Sequence, residues 1–263
     1  MKRLEYCYHT HTKRCGHAIG EDEEYVQSAI NSGLKRLGFS DHVMLPGIAK
    51  CHSRGGYEEF DDYVNSINSL KEKYKDKIEI NLGFEAEYSK RFLKYYKSLL
   101  SSKKIEYLIL GQHFNFDNTD KPIYIKFYHD DINELYSYCD HLIEGMETGL
   151  FSYVAHPDCY MMQFKEWNKD CEIVARRILK KAEELHLPLE INGHQKRFWR
   201  DPVYQVYPFD KFWEIASEYN VDVVVGHDAH DPKEFECELE FAFELIDKYN
   251  LHFLKDYKIK RIA

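Results

Sequence analysis

The chain has 263 residues, enough for one α/β barrel of roughly 250 residues and a sizeable core, and its 44% hydrophobic and 31% charged residues exclude a disordered polymer. A net charge of −9, from 45 acidic against 36 basic side chains, argues against nonspecific binding to nucleic acid or a membrane surface, which requires a basic patch. Seven cysteines without a Cys-x-x-Cys pair argue against a disulfide framework or zinc knuckle, no apolar segment follows Met1-Lys2-Arg3 as in a signal peptide, and none approaches the ~20 residues of a membrane span, so a cytoplasmic protein with reduced thiols is expected.

Strands and helices alternate along the chain. Leu4–His9 reads as a strand. Glu21–Ser32 reads as a helix with Tyr25, Val26, Ala29 and Ile30 on one stripe and Gly33 just past its end. Lys35–Ser40 is a second strand, and a loop over 44–56 precedes a helix at Tyr57–Tyr74. Ile78–Leu82 alternates with period two, as a strand does. A helix at Lys90–Leu100 and a strand at Tyr107–Leu110 follow. Past a loop at Asn115–Pro122 come a helix at Asp130–Glu147, a strand at Phe151–Ala155 and an amphipathic helix at Asp170–His186. Leu187–Asn192 is a strand with its proline near the start, where proline is tolerated. Pro208 marks the first turn of a helix ending by Asn220, and Val221–Val225 is the last strand. Asp231-Pro232-Lys233-Glu234 reads as a capping box with proline at N1. About seven β/α units fill residues 1–263 with no linker, which predicts a single domain built on a parallel sheet. The glycine-rich dinucleotide fingerprint of an open sheet is absent. A closed or nearly closed TIM-like barrel is the expectation.

In such a barrel the C-terminal strand ends converge on one face, and here nearly every strand ends in a side chain that binds metals. His9-Thr10-His11 follows the first strand and Cys15-Gly16-His17 its loop. Ser40-Asp41-His42, Gly83-Phe84-Glu85, Gly111-Gln112-His113, Ala155-His156-Pro157 and Asp228-Ala229-His230 end later strands. Ligands two apart project to one side, so His9/His11 and Asp228/His230 form matched pairs. Imidazole and carboxylate suit zinc, iron or manganese. A carboxylate has two oxygens and can bridge two cations; Glu85 is assigned that role over its neighbour Glu87. His227 points away from Asp228 along the strand, and Cys15 reads as a small buried hydrophobe. For phosphate, the basic candidates on the same face are Arg14, Lys196 and Arg197, Arg197 foremost because a guanidinium grips two oxygens. His194 is placed to touch substrate, and Tyr160 and Phe116 are candidates for a leaving-group pocket. The reading from residues alone is a multinuclear metallohydrolase.

The set His9-x-His11, Cys15-Gly16-His17, Ser40-Asp41-His42, Gly83-Phe84-Glu85, His113, His156-Pro157-Asp158 and Asp228-Ala229-His230 resembles the polymerase and histidinol phosphatase (PHP) family, over essentially the whole chain. The length and the Gly-Phe-Glu-Ala-Glu and His-Pro-Asp motifs are most similar to its stand-alone histidinol-phosphate phosphatase branch. That resemblance implies a distorted (β/α)7 barrel and three divalent transition-metal ions. One ion would be held by His9, His11, Glu85 and Asp228, a second by Glu85, His113 and His156, a third by His17, His42 and His230. Glu85 and Asp228 would then be the catalytic carboxylates. The implied reaction is hydrolysis of L-histidinol phosphate, a small phosphomonoester, to L-histidinol and inorganic phosphate. Where many members of the branch carry an arginine after His-Pro-Asp, this chain has Cys159-Tyr160-Met161-Met162-Gln163. Gly193–Arg197 also departs from the usual small-residue run. Alternative readings are a phosphoesterase of nucleotides or DNA ends, and a metal-stabilised accessory domain without turnover.

Overall fold

The computed structural model describes residues 4–115, 123–124, 131–198 and 206–259, with the backbone alone for 114, 115, 123, 124, 197 and 198. Parallel strands β1 (Tyr6–Cys7), β2 (Arg36–Phe39), β3 (Glu79–Ala86) and β4 (Tyr107–Leu110) pair in sequence order. An antiparallel hairpin, β5 (Phe114–Asn115) and β6 (Ile123–Tyr124), leaves β4. Val154 bridges both Leu110 and Leu189 and so joins β4 to β7 (Leu189–Asn192), which pairs with β8 (Asp222–Gly226). The ring returns to β1 through a bridge between Thr10 and Ala229, where His11 N–H donates to the Ala229 carbonyl at 2.9 Å. Seven parallel staves thus form the distorted TIM-like barrel expected from the sequence.

The strand faces are sorted by size and polarity. On β3, Leu82 and Phe84 look outward, and Phe84 meets Phe60 and Tyr63 of α2 (Phe60–Tyr74) with ring centroids 5.9 and 5.0 Å away. Before it, α1 (Asp22–Asn31) packs with the same apolar shell. So do α3 (Leu93–Ser101), α4 (Ile132–Glu147) and α5 (Lys169–Leu185). The interior at the N-terminal end is filled by Tyr6, Tyr8, Tyr107, Ile109, Tyr153 and Val224. Tyr107 lies across Gly38 and Gly83: a Cβ on either would stand 2.3 and 2.5 Å from its side chain. Its hydroxyl donates to the carbonyls of Tyr8 and Phe39 at 2.8 and 3.0 Å. With that end plugged, only the C-terminal end of the barrel is left for a cleft.

Several elements differ from the expectation. The 151–155 strand contracts to one residue of ladder, Val154, although Ser152 and Ala155 N–H still donate to the Leu108 and Leu110 carbonyls, and beyond it the backbone turns aside at His156, whose φ is +30°. After β7 a short helix α6 (His194–Phe198) follows. The next helix, α7 (Asp210–Ala216), begins after Pro208 rather than around it. Asp231 does cap, accepting from Lys233 N–H at 2.9 Å with Pro232 behind it, but it starts a 3-10 turn at Pro232–Glu236, and the Glu234 carboxylate accepts from His230 N–H. Beyond it lie α8 (Glu240–Tyr249) and β9 (His252–Phe253), neither anticipated. β9 adds to β8 and carries Tyr257 into the tyrosine plug, where it donates to the Ser152 carbonyl at 2.8 Å. Among the described residues no helix is long and apolar enough to cross a membrane.

Candidate metal centre

Glu85 lies within β3, whereas the other ligand candidates stand on the irregular residues beyond the named strands. Tyr8 faces the plug, yet its neighbour His9 also faces inward, so strand alternation has ended by that point. His156 and Asp228 both have left-handed backbones, φ +30° and +51°. Unlike the other non-glycine residues of positive φ (Lys103, His186 and Asn250), they do not follow the end of a helix. Such conformations cost about 1–3 kcal/mol each and persist where surroundings over-determine them, often at functional sites.

Nine side chains converge there. Glu85 Oε1 lies 2.8 Å from His156 Nε2 and 3.7 Å from His113 Nε2. Glu85 Oε2 lies 3.1 Å from His42 Nδ1, 3.4 Å from His11 Nε2 and 3.5 Å from His9 Nε2. Asp228 Oδ1 is 3.1 Å from His11 Nε2 and 3.3 Å from His9 Nε2. His230 stacks on His11 and His17 at 4.1 and 4.6 Å between centroids. Glu85 is admitted by a glycine: a Cβ on Gly111 would stand 1.9 Å from its Oε1. All nine are buried except His113, partly exposed, and His17, which stands at the mouth.

Electrostatics divide the imidazoles into two sets. Burial disfavours a charged His9, but Asp228, Glu190 and Glu85 outweigh it and raise its pKa well above 6.5. His11 rises to about 9, against burial, through Asp228 and Asp41. His156 is raised too. Burial and the charge at His11 push His42 down to about 4 and also depress His17 and His230. Burial opposes ionisation of Glu85 and Asp228, yet the surrounding histidines hold both well below the usual carboxylate range.

This donor set fits divalent metal. His9 Nε2, Asp228 Oδ1 and His230 Nε2 are buried and have no hydrogen-bond partner, and such atoms require an explanation such as an ion. Single ligand atoms of His9, His11 and Asp228 lie within 4.8 Å of one another, as do those of His9, Glu85 and His156, those of His11, His42 and Glu85, and those of His17, His42 and His230.

The substrate candidates are placed less uniformly. His194 lies beside the cluster, its ring 4.5 Å from that of His230. Lys196 is exposed on α6. Arg197 has its backbone in α6 while its side chain, like all of Phe116, lies outside the described residues. Arg14 requires correction: its guanidinium is buried and clamped by Asp22 and Asp62 at 2.8 and 2.7 Å, turned into the packing of α1 against α2. Tyr160 also requires correction, being fully buried with its hydroxyl donating to the Cys171 carbonyl at 3.1 Å. Cys15 is buried as expected, and its sulfur also comes within 4.8 Å of ligand atoms of His11 and His230. Sequence reasoning passed over Glu190 and Asn192, which reach His9 and Asp228; the i, i+2 polar spacing at the end of β7 was their available signal.

The family model described as the PHP domain matches residues 8–194. The chain is 30% identical over 232 residues, 86% of each chain, to a Deinococcus radiodurans protein named "Probable histidinol-phosphatase". It is 24% identical over 275 residues, 100% of this chain and 97% of the other, to the Lactococcus lactis subsp. lactis "Histidinol-phosphatase". The crystal structure of histidinol phosphate phosphatase from Lactococcus lactis, complexed with zinc, L-histidinol and phosphate, superposes with a TM-score of 0.72, covering 96% of each chain at 20% identity. At that identity the likeness speaks for the fold.

Proposed function

Because this chain belongs to the PHP domain family, we propose that it is a metal-dependent phosphate-monoester hydrolase converting L-histidinol phosphate to L-histidinol and inorganic phosphate. The observation that carries the reading is Glu85, whose two oxygens face two different sets of imidazoles across one buried cluster. His9, His11, Glu85 and Asp228 would hold one divalent ion, Glu85, His113 and His156 a second, and His17, His42 and His230 a third. Such ions supply Lewis acidity and a water nucleophile near neutral pH. The protein's part is to fix the donors in place: Gly111 gives Glu85 its room, and Glu234 accepts from His230 N–H at 3.0 Å and so anchors that ligand. His194, beside His230, and Lys196, on the same short helix, are assigned to substrate, with Arg197 assigned to phosphate from its position in the sequence. Residues 1–263 are read as one catalytic unit, and the seven free cysteines suit a reducing cytoplasm.

The test is phosphate release by the zinc-, iron- or manganese-loaded protein from L-histidinol phosphate beside nucleoside monophosphates and 3′-phosphorylated DNA ends. L-Histidinol phosphate should be preferred in kcat/KM by at least about a hundredfold. Preference for a nucleotide would move the substrate assignment, and release from none of these esters would favour an accessory domain.

A further inference from the structure

We propose that Glu190 is a positioning residue for the metal centre, fixing His9 with its proton on Nδ1 and its Nε2 lone pair aimed at the ion. The inference rests on the metal centre proposed above and adds to it a residue from β7, a strand that supplies no ligand.

Glu190 is fully buried. Both its oxygens lie 3.0 Å from His9 Nδ1. An ionised carboxylate only accepts hydrogen bonds, so the imidazole proton belongs on Nδ1. The opposite nitrogen, Nε2, then carries the lone pair, and it is the atom that faces Glu85 and Asp228 and lacks a hydrogen-bond partner.

The carboxylate is itself held from three sides. Asn192 Nδ2 donates to its Oε2 at 2.7 Å and also to Asp228 Oδ2 at 3.2 Å. The orientation of that amide is fixed because Asn192 Oδ1 accepts from His194 N–H at 2.9 Å. His156 N–H donates to Oε2 at 3.3 Å. On the fourth side β8 makes room, since a Cβ on Gly226 would stand 1.9 Å from Oε1. One side chain therefore touches His9 directly, Asp228 through Asn192, and the backbone of His156.

Burying a carboxylate without a cation is costly. The comparable buried carboxylate Glu87 is matched by Arg54 at 2.6 Å, whereas the one ion-pair partner of Glu190 among the described residues is His9. A metal ion supplies the missing positive charge. The two inner carboxylates, Glu85 and Asp228, cannot balance several divalent ions alone, and Glu190 contributes further negative charge one imidazole away. Partners of this kind orient a ligand and raise its basicity, and their loss typically costs ten- to a hundredfold in metal affinity.

The experiment uses the zinc-loaded full chain, titrated with a chromophoric chelator, together with ¹⁵N–¹H spectra of the imidazole nitrogens. Wild-type His9 should carry its proton on Nδ1. Glu190→Gln should release one equivalent of zinc at ten- to a hundredfold lower chelator strength, with the remaining equivalents unmoved. Glu190→Asp keeps the charge but withdraws it by one methylene, and should fall between the two; it decides the matter if the glutamine variant does not fold. Zinc held equally tightly in both variants, or a His9 proton found on Nε2, would overturn the inference while leaving the metal centre intact. A wild-type chain that binds no zinc, iron or manganese would overturn the metal centre and this inference together.

Discussion

Among the described residues Glu85 has five imidazoles and no lysine or arginine as ion-pair partners, and burial alone would drive it to the neutral acid. That it is held ionised means its charge is maintained by whatever occupies those nitrogens, protons or metal. Its oxygens divide the cluster, Oε1 toward His113 and His156, Oε2 toward His9, His11 and His42. Glu85→Gln preserves shape but removes the charge and leaves one end as a donor that cannot ligate. Elemental analysis after reconstitution should therefore show a deficit of about two ions per chain. A deficit of one would mean that Glu85 serves a single ion and that the halves of the cluster are joined by another group.

At the level of elements, the loop after β1 is held by Arg14, which reaches Asp22 at the start of α1 and Asp62 in α2. Asp22 is buried, so deleting the guanidinium leaves a buried charge without its cation; its remaining bond from Ser66 moderates the loss. Arg14→Ala should destabilise the fold by about 2 kcal/mol, lowering the melting temperature by roughly 4–8 °C, with unchanged metal content. A variant that melts normally but loses phosphate affinity would return Arg14 to the active site. The same element shows what a sequence can and cannot convey. Helix stripes and the ligand motifs were legible because period and donor chemistry are local. The His9/His11 and Asp228/His230 pairs were recognised by a rule for strands; they flank the Thr10–Ala229 bridge beyond β1 and β8, although alternation has been broken once between Tyr8 and His9. Left-handed turns at His156 and Asp228 are not betrayed by glycine. The partners of Arg14 and Glu190 were invisible for a different reason: Glu190 meets His9 across 181 positions of sequence, and only tertiary packing decides which charge a buried carboxylate finds.

Taken as a whole, the barrel is plugged by tyrosines at one end and carries at the other a set of charges that something positive must balance. Without metal that role falls to protons on His9, His11 and His156, whose pKa values are raised, those of His9 and His11 by the neighbouring carboxylates, that of His11 to about 9, and that of His156 by Cys159 and Glu85. A group whose pKa is higher folded than unfolded contributes stability fully present below its unfolded value, about 6.5 for histidine. That contribution is lost as pH rises through the folded value. The metal-free protein should therefore lose stability between about pH 6.5 and 9. Imidazoles must be deprotonated to ligate, so metal affinity rises over the same interval, and with it the stabilisation that a bound ion confers. The two slopes have opposite signs because protons and ions compete for the same nitrogens. Calorimetry of EDTA-treated and zinc-loaded protein should show the melting temperature of the former falling across this range while the gap between them widens by several degrees, at roughly 2–4 °C per kcal/mol. A gap that is constant or narrows toward pH 9 would mean that zinc stabilises the chain from somewhere other than these histidines.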